Sequence, residues 1–157
     1  MTNGRSSLAL EPIRTYRDFI AGQSLARKVR GLARDAALRG LSLGRSPAAV
    51  SGWIRFPFYH HVFDDERKDF ERQLDFMAGL GDFIGLDDAV AMLAAGNPID
   101  GRYFCITFDD GFKNWHTNAL PVLLDKKAPA AFFLVTGYIG ASIDKDRERL
   151  LGFYDSG

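Results

Sequence analysis

The sequence predicts an α/β fold in which a parallel sheet is covered by helices. Three observations carry that expectation. Short apolar runs recur at residues 53–62, 83–86, 103–108 and 130–135. Amphipathic segments separate them, giving the order strand, helix, strand, helix, strand, helix, strand. The later runs are apolar throughout rather than alternating, as strands buried on both faces are.

The 157 residues suit one domain with an extra arm. Hydrophobic content of 46% with 25% charged residues is ordinary for a globular protein, and thirteen Phe supply a core. Net charge is zero but unevenly spread. Residues 1–55 hold ten Lys/Arg against three Asp/Glu, and residues 56–157 hold ten against seventeen. A basic arm of net +7 therefore precedes an acidic domain of net −7. The boundary is placed at 50/51: a basic helical arm and linker over 1–50, and the α/β domain over 51–157. The single cysteine, Cys105, forbids an intrachain disulfide and reads as a small core hydrophobe. No run of about 18 apolar residues is present, and no apolar signal region opens the chain. No transmembrane segment and no nucleic-acid partner are expected, and the expected compartment is the cytoplasm.

Taken in order, residues 1–7 are small and polar and read as disordered. Residues 15–22 suit a helical turn with Tyr16, Phe19 and Ile20 clustered. Ser24 is a candidate N-cap for a helix over 25–39, where Leu25, Val29, Leu32 and Ala36 recur at helical spacing among arginines. That helix has the charge for an anionic membrane surface but only a thin apolar face, so packing on the domain or on a partner is the favoured reading. Residues 40–47 read as a linker. In 53–62, Pro57 marks an edge or an approach to a strand. Asp64 or Asp65 is a candidate cap for a helix whose inner face is Phe70, Leu74 and Met77, ended by Gly79 and Gly81. Asp87 is a candidate cap for 88–95, with Val90, Leu93 and Ala94 facing inward. Residues 103–108 form the expected central strand. A helix over 117–127 carries Pro121 near its first turn. Phe104, Phe132 and Phe133 are assigned to the core, and 144–150 to a last helical turn.

The chemistry concentrates where the central strand stops, at Asp109-Asp110-Gly111. Two carboxylates at a strand end reach one mouth of a sheet with different orientations, so one can bind while the other stays free as a base. Proximity of two acids pushes one carboxyl upward, and the glycine permits a sharp turn. An Asx-turn closing the strand is the plain alternative. His60 and His61 are neighbours on a strand, so at most one faces the acids. They are candidate substrate-pocket residues, and Trp115 is a candidate surface platform for a substrate. His116 is a weaker candidate metal ligand.

The stretch Thr107-Phe108-Asp109-Asp110-Gly111-Phe112 resembles the first motif of the polysaccharide deacetylase (NodB homology) family of carbohydrate esterases. Residues 119–135 are similar to that family's following helix and strand. Tyr59-His60-His61-Val62, residues 70–80 and residues 85–90 are similar to its bacterial lead-in, so the resemblance spans 54–140. It implies an incomplete (β/α) barrel of the glycoside hydrolase/deacetylase type. It also implies a divalent metal, zinc for choice, an N-acetylated glycan substrate, Asp109 as general base and Asp110 as metal ligand. The family's later His-(Ser/Thr)-x-x-His motif has no counterpart here, His116 being the last histidine. The expectation is the N-terminal part of a deacetylase, inactive on its own, with an open sheet edge at 130–135 inviting self-association. Two rivals remain: a non-catalytic carbohydrate- or partner-binding remnant, and an aspartate-nucleophile phosphatase, disfavoured because its acids stand at D-x-D spacing.

Overall fold

A computed structural model describes residues 12–21, 24–42, 50 and 52–142. The expectations for 1–7, for most of the 40–47 linker and for 144–150 lie outside these residues. The elements are α1 (Tyr16–Ala21), α2 (Leu25–Ser42), β1 (Trp53–Arg55), β2 (Phe58–Tyr59), α3 (Arg67–Ala78), β3 (Asp82–Phe83), α4 (Leu86–Ala94), β4 (Arg102–Phe104), β5 (Ile106–Asp109), α5 (Leu120–Asp125) and β6 (Ala130–Phe133). A π-helical turn, Trp115–Ala119, leads into α5, and a 3₁₀ turn, Thr136–Tyr138, follows β6.

Every strand pairing is parallel, as the apolar runs predict. The strands make two three-stranded sheets, ordered β1-β4-β3 and β2-β5-β6. The expectation was an incomplete (β/α) barrel, and among the described residues the sheets do not close. The two sheets share their chain runs. Pro57 interrupts β1 and β2 because it has no N–H to give, yet its carbonyl accepts from Thr107 N–H at 3.0 Å. Cys105 interrupts β4 and β5, and its N–H donates to Arg55 O at 2.9 Å. Residues 102–109 thus lie beside 53–59 throughout, with β3 against their first half and β6 against their second.

On α3, Phe70, Leu74 and Met77 are buried as their i, i+4, i+7 spacing predicts. The chain leaves α3 through Gly81, where a Cβ would stand 2.2 Å from Arg102 O. Only glycine lets 79–82 pass that close to β4. On α4 the expectation fails. Ala89 is the buried residue, Val90 and Leu93 are more than half exposed, and Gly85 rather than Asp87 is the N-cap.

Asp64 and Asp65 do not cap α3. Glu66 precedes it, and its carboxylate accepts from Phe63 N–H at 3.2 Å. Asp65 instead caps α1 from a distance, accepting from Tyr16 N–H at 2.7 Å. Tyr16 and Phe19 then pack on Phe63. Pro121 does sit in the first turn of α5.

The core centres on Phe108, ringed by Tyr59, Phe70, Trp115 and Phe132 at centroid distances of 5.1–6.1 Å. Phe104 is buried. Phe132 and Phe133 are 40% and 49% exposed, against expectation, because β6 is the last strand of its sheet among the described residues.

Candidate active site

Asp109 ends β5 opposite Phe133, and Asp110 begins the turn that follows. Asp110 and Gly111 both take left-handed backbone, φ 82° and 80°. Asp is among the side chains that tolerate that region, and Gly carries no Cβ penalty. The turn is tied to the sheet because Asp110 N–H donates to Phe133 O at 3.0 Å. The acids therefore part: Asp109 follows the strand, while Asp110 swings toward β2.

There Asp110 Oδ2 meets His60 Nε2 at 3.8 Å. The expectation that one of two neighbouring histidines faces the acids is met by His60. Its side chain is half exposed, and its backbone is fixed because Trp115 Nε1–H donates to His60 O at 2.9 Å. Trp115 is thus corrected. It is 5% exposed and packed between Phe108 and Phe132, so it offers no face to a ligand and instead holds the histidine segment. Sequence distance hid this bond, which spans 55 positions.

His61 turns into an aromatic nest, 4.0 Å from the Phe112 ring, 4.9 Å from Phe63 and 5.7 Å from Phe19. Asn114 Nδ2 lies 3.2 Å from its Nδ1. Burial first, then the neighbouring His60, hold its imidazole below the usual histidine range, against smaller opposing pulls from Asn114 and Asp110. Asn118 pins the same loop, donating to Val62 O at 2.9 Å and Asp64 Oδ1 at 2.8 Å. Cys105 is fully buried, and burial raises its thiol, as a core role requires.

Phe58 was not singled out by sequence. It is 65% exposed and meets His60 edge-on at 5.8 Å. Its signal was its two-residue spacing from His60. His116 is exposed on the π-helical turn.

As metal donors, Asp110 and His60 have the right chemistry, a carboxylate oxygen and an imidazole nitrogen. Among the described residues no group of three His, Cys, Asp or Glu comes together to hold a metal ion. The pair falls short of the three protein ligands a catalytic zinc site uses.

An acid pair at the carboxyl end of a parallel strand, with a histidine 3.8 Å away, sits where α/β proteins hold their ligands. Comparison adds that residues 96–156, the segment that carries the acid pair, match the polysaccharide deacetylase family model. Among solved structures, that of IcaB from Ammonifex degensii is similar at 30% identity and a TM-score of 0.52, covering 57% of this chain and 40% of that one. The Streptococcus pyogenes deacetylase PplD, solved in complex with acetate, matches at 22% identity and a TM-score of 0.49, over 57% of this chain and 45% of that one. The chain spans less than half the length of each. No curated protein matches it.

Proposed function

We propose that this chain carries the acid-pair portion of a deacetylase that hydrolyses N-acetyl groups on an amino-sugar polymer or oligomer. The observation that supports it most is the acid pair Asp109-Asp110 at the end of β5, inside the segment that matches the family, with His60 3.8 Å from Asp110. In this reading the Asp109 carboxylate takes a proton from water, the water oxygen adds to the acetyl carbon, and the carbon–nitrogen bond breaks. The amine leaves with a proton and acetate is released. Asp110 and His60 hold the opposite wall of the mouth, and His60, when protonated, pairs with Asp110.

The family's divalent metal, zinc for choice, belongs to the proposal too. With two donors among the described residues, this chain by itself is expected to bind such an ion weakly and to release acetate slowly or not at all. Acetate release from N-acetylglucosamine oligomers, with and without zinc, is the assay. Zinc-dependent release abolished by Asp109→Asn would overturn the expected inactivity while upholding the site. Oligomer titration followed by NMR tests the site itself. Shifts at Asp109, Asp110 and His60 are expected, and a silent mouth would sink the glycan reading.

The shortage of donors favours one alternative, a non-catalytic carbohydrate- or partner-binding domain. Metal-independent oligomer binding without acetate release would select it. Self-association through β6 also belongs to this reading, since Phe132, Phe133 and Leu134 are exposed along it. Light scattering that shows a monodisperse monomer would exclude it.

A further inference from the structure

We infer that α2 is an interfacial helix that binds the surface of an anionic lipid bilayer. Over Leu25–Ser42 the sequence has five basic residues against one acid, a net of +4. Leu25, Val29, Leu32 and Ala36 fall on one stripe at helical spacing. Arg39 borders that stripe, Arg30 lies on the opposite, polar face, and Arg34 pairs with its neighbour Asp35 at 3.0 Å. Packing on the domain, the reading the sequence favours, is not what the fold shows. Leu25, Val29, Leu32, Leu38 and Leu41 are all more than half exposed.

An uncovered apolar stripe on a helix of net +4 has a restricted set of occupants. A second copy of α2 would bring two helices of net +4 together, with like charges facing along the seam. Nucleic acid would meet the arginines and leave the leucines in water. An anionic bilayer satisfies both: the stripe enters the headgroup–acyl boundary and the arginines meet lipid phosphates. The helix lies on the surface and does not cross, since no described helix is long and apolar enough to span a membrane.

The placement of α1 ties this helix to the segment 61–65. Asp65 caps α1, and Phe19 touches the His61 ring. Four residue steps from the end of α1 reach the start of α2, at most about 14 Å of chain. Bound lipid would therefore lie on the histidine side of the domain.

Vesicle flotation with the full chain tests this. The protein should float with vesicles of phosphatidylcholine containing phosphatidylglycerol, stay unbound with phosphatidylcholine alone, and release at high salt. Each basic residue near such a surface is worth about fivefold in partition, so Arg30→Gln with Arg39→Gln should weaken binding about 30-fold. Leu32→Asp should abolish it with an unchanged melting midpoint, because α2 lies outside the core. Equal binding to both vesicle types, binding to neither, or partition unmoved by these variants would overturn the proposal. So would a lipid-free dimer, seen by sedimentation velocity and dissolved by Leu32→Asp, which would give the stripe to a second copy.

Discussion

Truncating Trp115 separates a structural role from a ligand-facing one. The ring is 5% exposed and lies 5.7 Å from Phe108 and 5.4 Å from Phe132. Its Nε1–H holds His60 O at 2.9 Å. Trp115→Ala removes both contributions, and truncation of a buried aromatic costs about 3–5 kcal/mol. That is a large share of the roughly 5–15 kcal/mol that holds an ordinary domain together. Trp115→Phe keeps a ring between Phe108 and Phe132 and removes the hydrogen bond, a loss of about 1–3 kcal/mol once the His60 carbonyl is left without its donor. Urea denaturation followed by far-UV circular dichroism measures both. In the Phe variant the His60 ring resonances should also move, because its backbone is no longer held. An exposed platform residue would behave in the opposite way: stability changes by no more than about 0.5 kcal/mol on truncation while glycan binding falls. A Trp115→Ala protein as stable as the parent would refute the placement of this side chain in the core.

Three further outcomes follow from particular contacts. His61 has its imidazole lowered, chiefly by burial, so the folded state binds fewer protons than the unfolded chain near pH 6. Its contribution is present above the unfolded value of about 6.5 and declines as pH falls below it. Melting midpoints should therefore drop between pH 8 and 5.5, with a shallower drop in His61→Phe. Asp65 is lowered, first by the Tyr16 backbone N–H, so its hold on α1 is present above the ordinary carboxylate range and lost on acidification through the lowered value. Contacts of Phe19 with Phe63 in NMR spectra should fade there, and in Asp65→Asn at neutral pH. Gly81→Ala places a Cβ 2.2 Å from Arg102 O, and overpacking of this kind costs about 1–3 kcal/mol. An unchanged midpoint would show that the α3–β3 connection does not pass as close to β4 as described.

The legible part of this chain is the part written in short-range periodicity. Strand runs at 53–59, 102–109 and 130–133, the inner face of α3 and the position of Pro121 all follow from spacing along the chain. The expectation that His60 and His61 lie on a strand is not met, since β2 stops at Tyr59 and both histidines follow it. What the sequence concealed depends on contacts between distant residues. Trp115 looks like an exposed aromatic beside a motif, and only the bond to His60 O shows it turned inward. Asp65 looks like a cap for the helix that follows it, yet it caps one that begins 49 positions earlier. Val90 and Leu93 carry the apolar signal in α4, but the helix buries Ala89 and leaves both more than half exposed.

Two of these corrections bear on the site: Trp115 and Asp65 both act on the segment 60–66 rather than locally. Trp115 holds His60, Asn114 holds His61, Asn118 holds Val62 and Asp64, and Asp65 brings α1 against Phe63. The acids need no such help, since Asp109 is set by strand register and Asp110 by its bond to Phe133 O. The histidines follow a two-residue strand and have no ladder of their own, so side chains from the π-helical turn and the residues before it supply their order. A mouth built this way should fail at the histidines before it fails at the acids. Variants of Asn114, Trp115 and Asn118 are therefore expected to disturb His60 and His61 resonances while leaving those of Asp109 and Asp110 in place. Equal disturbance of both halves would show that the mouth orders as a single unit.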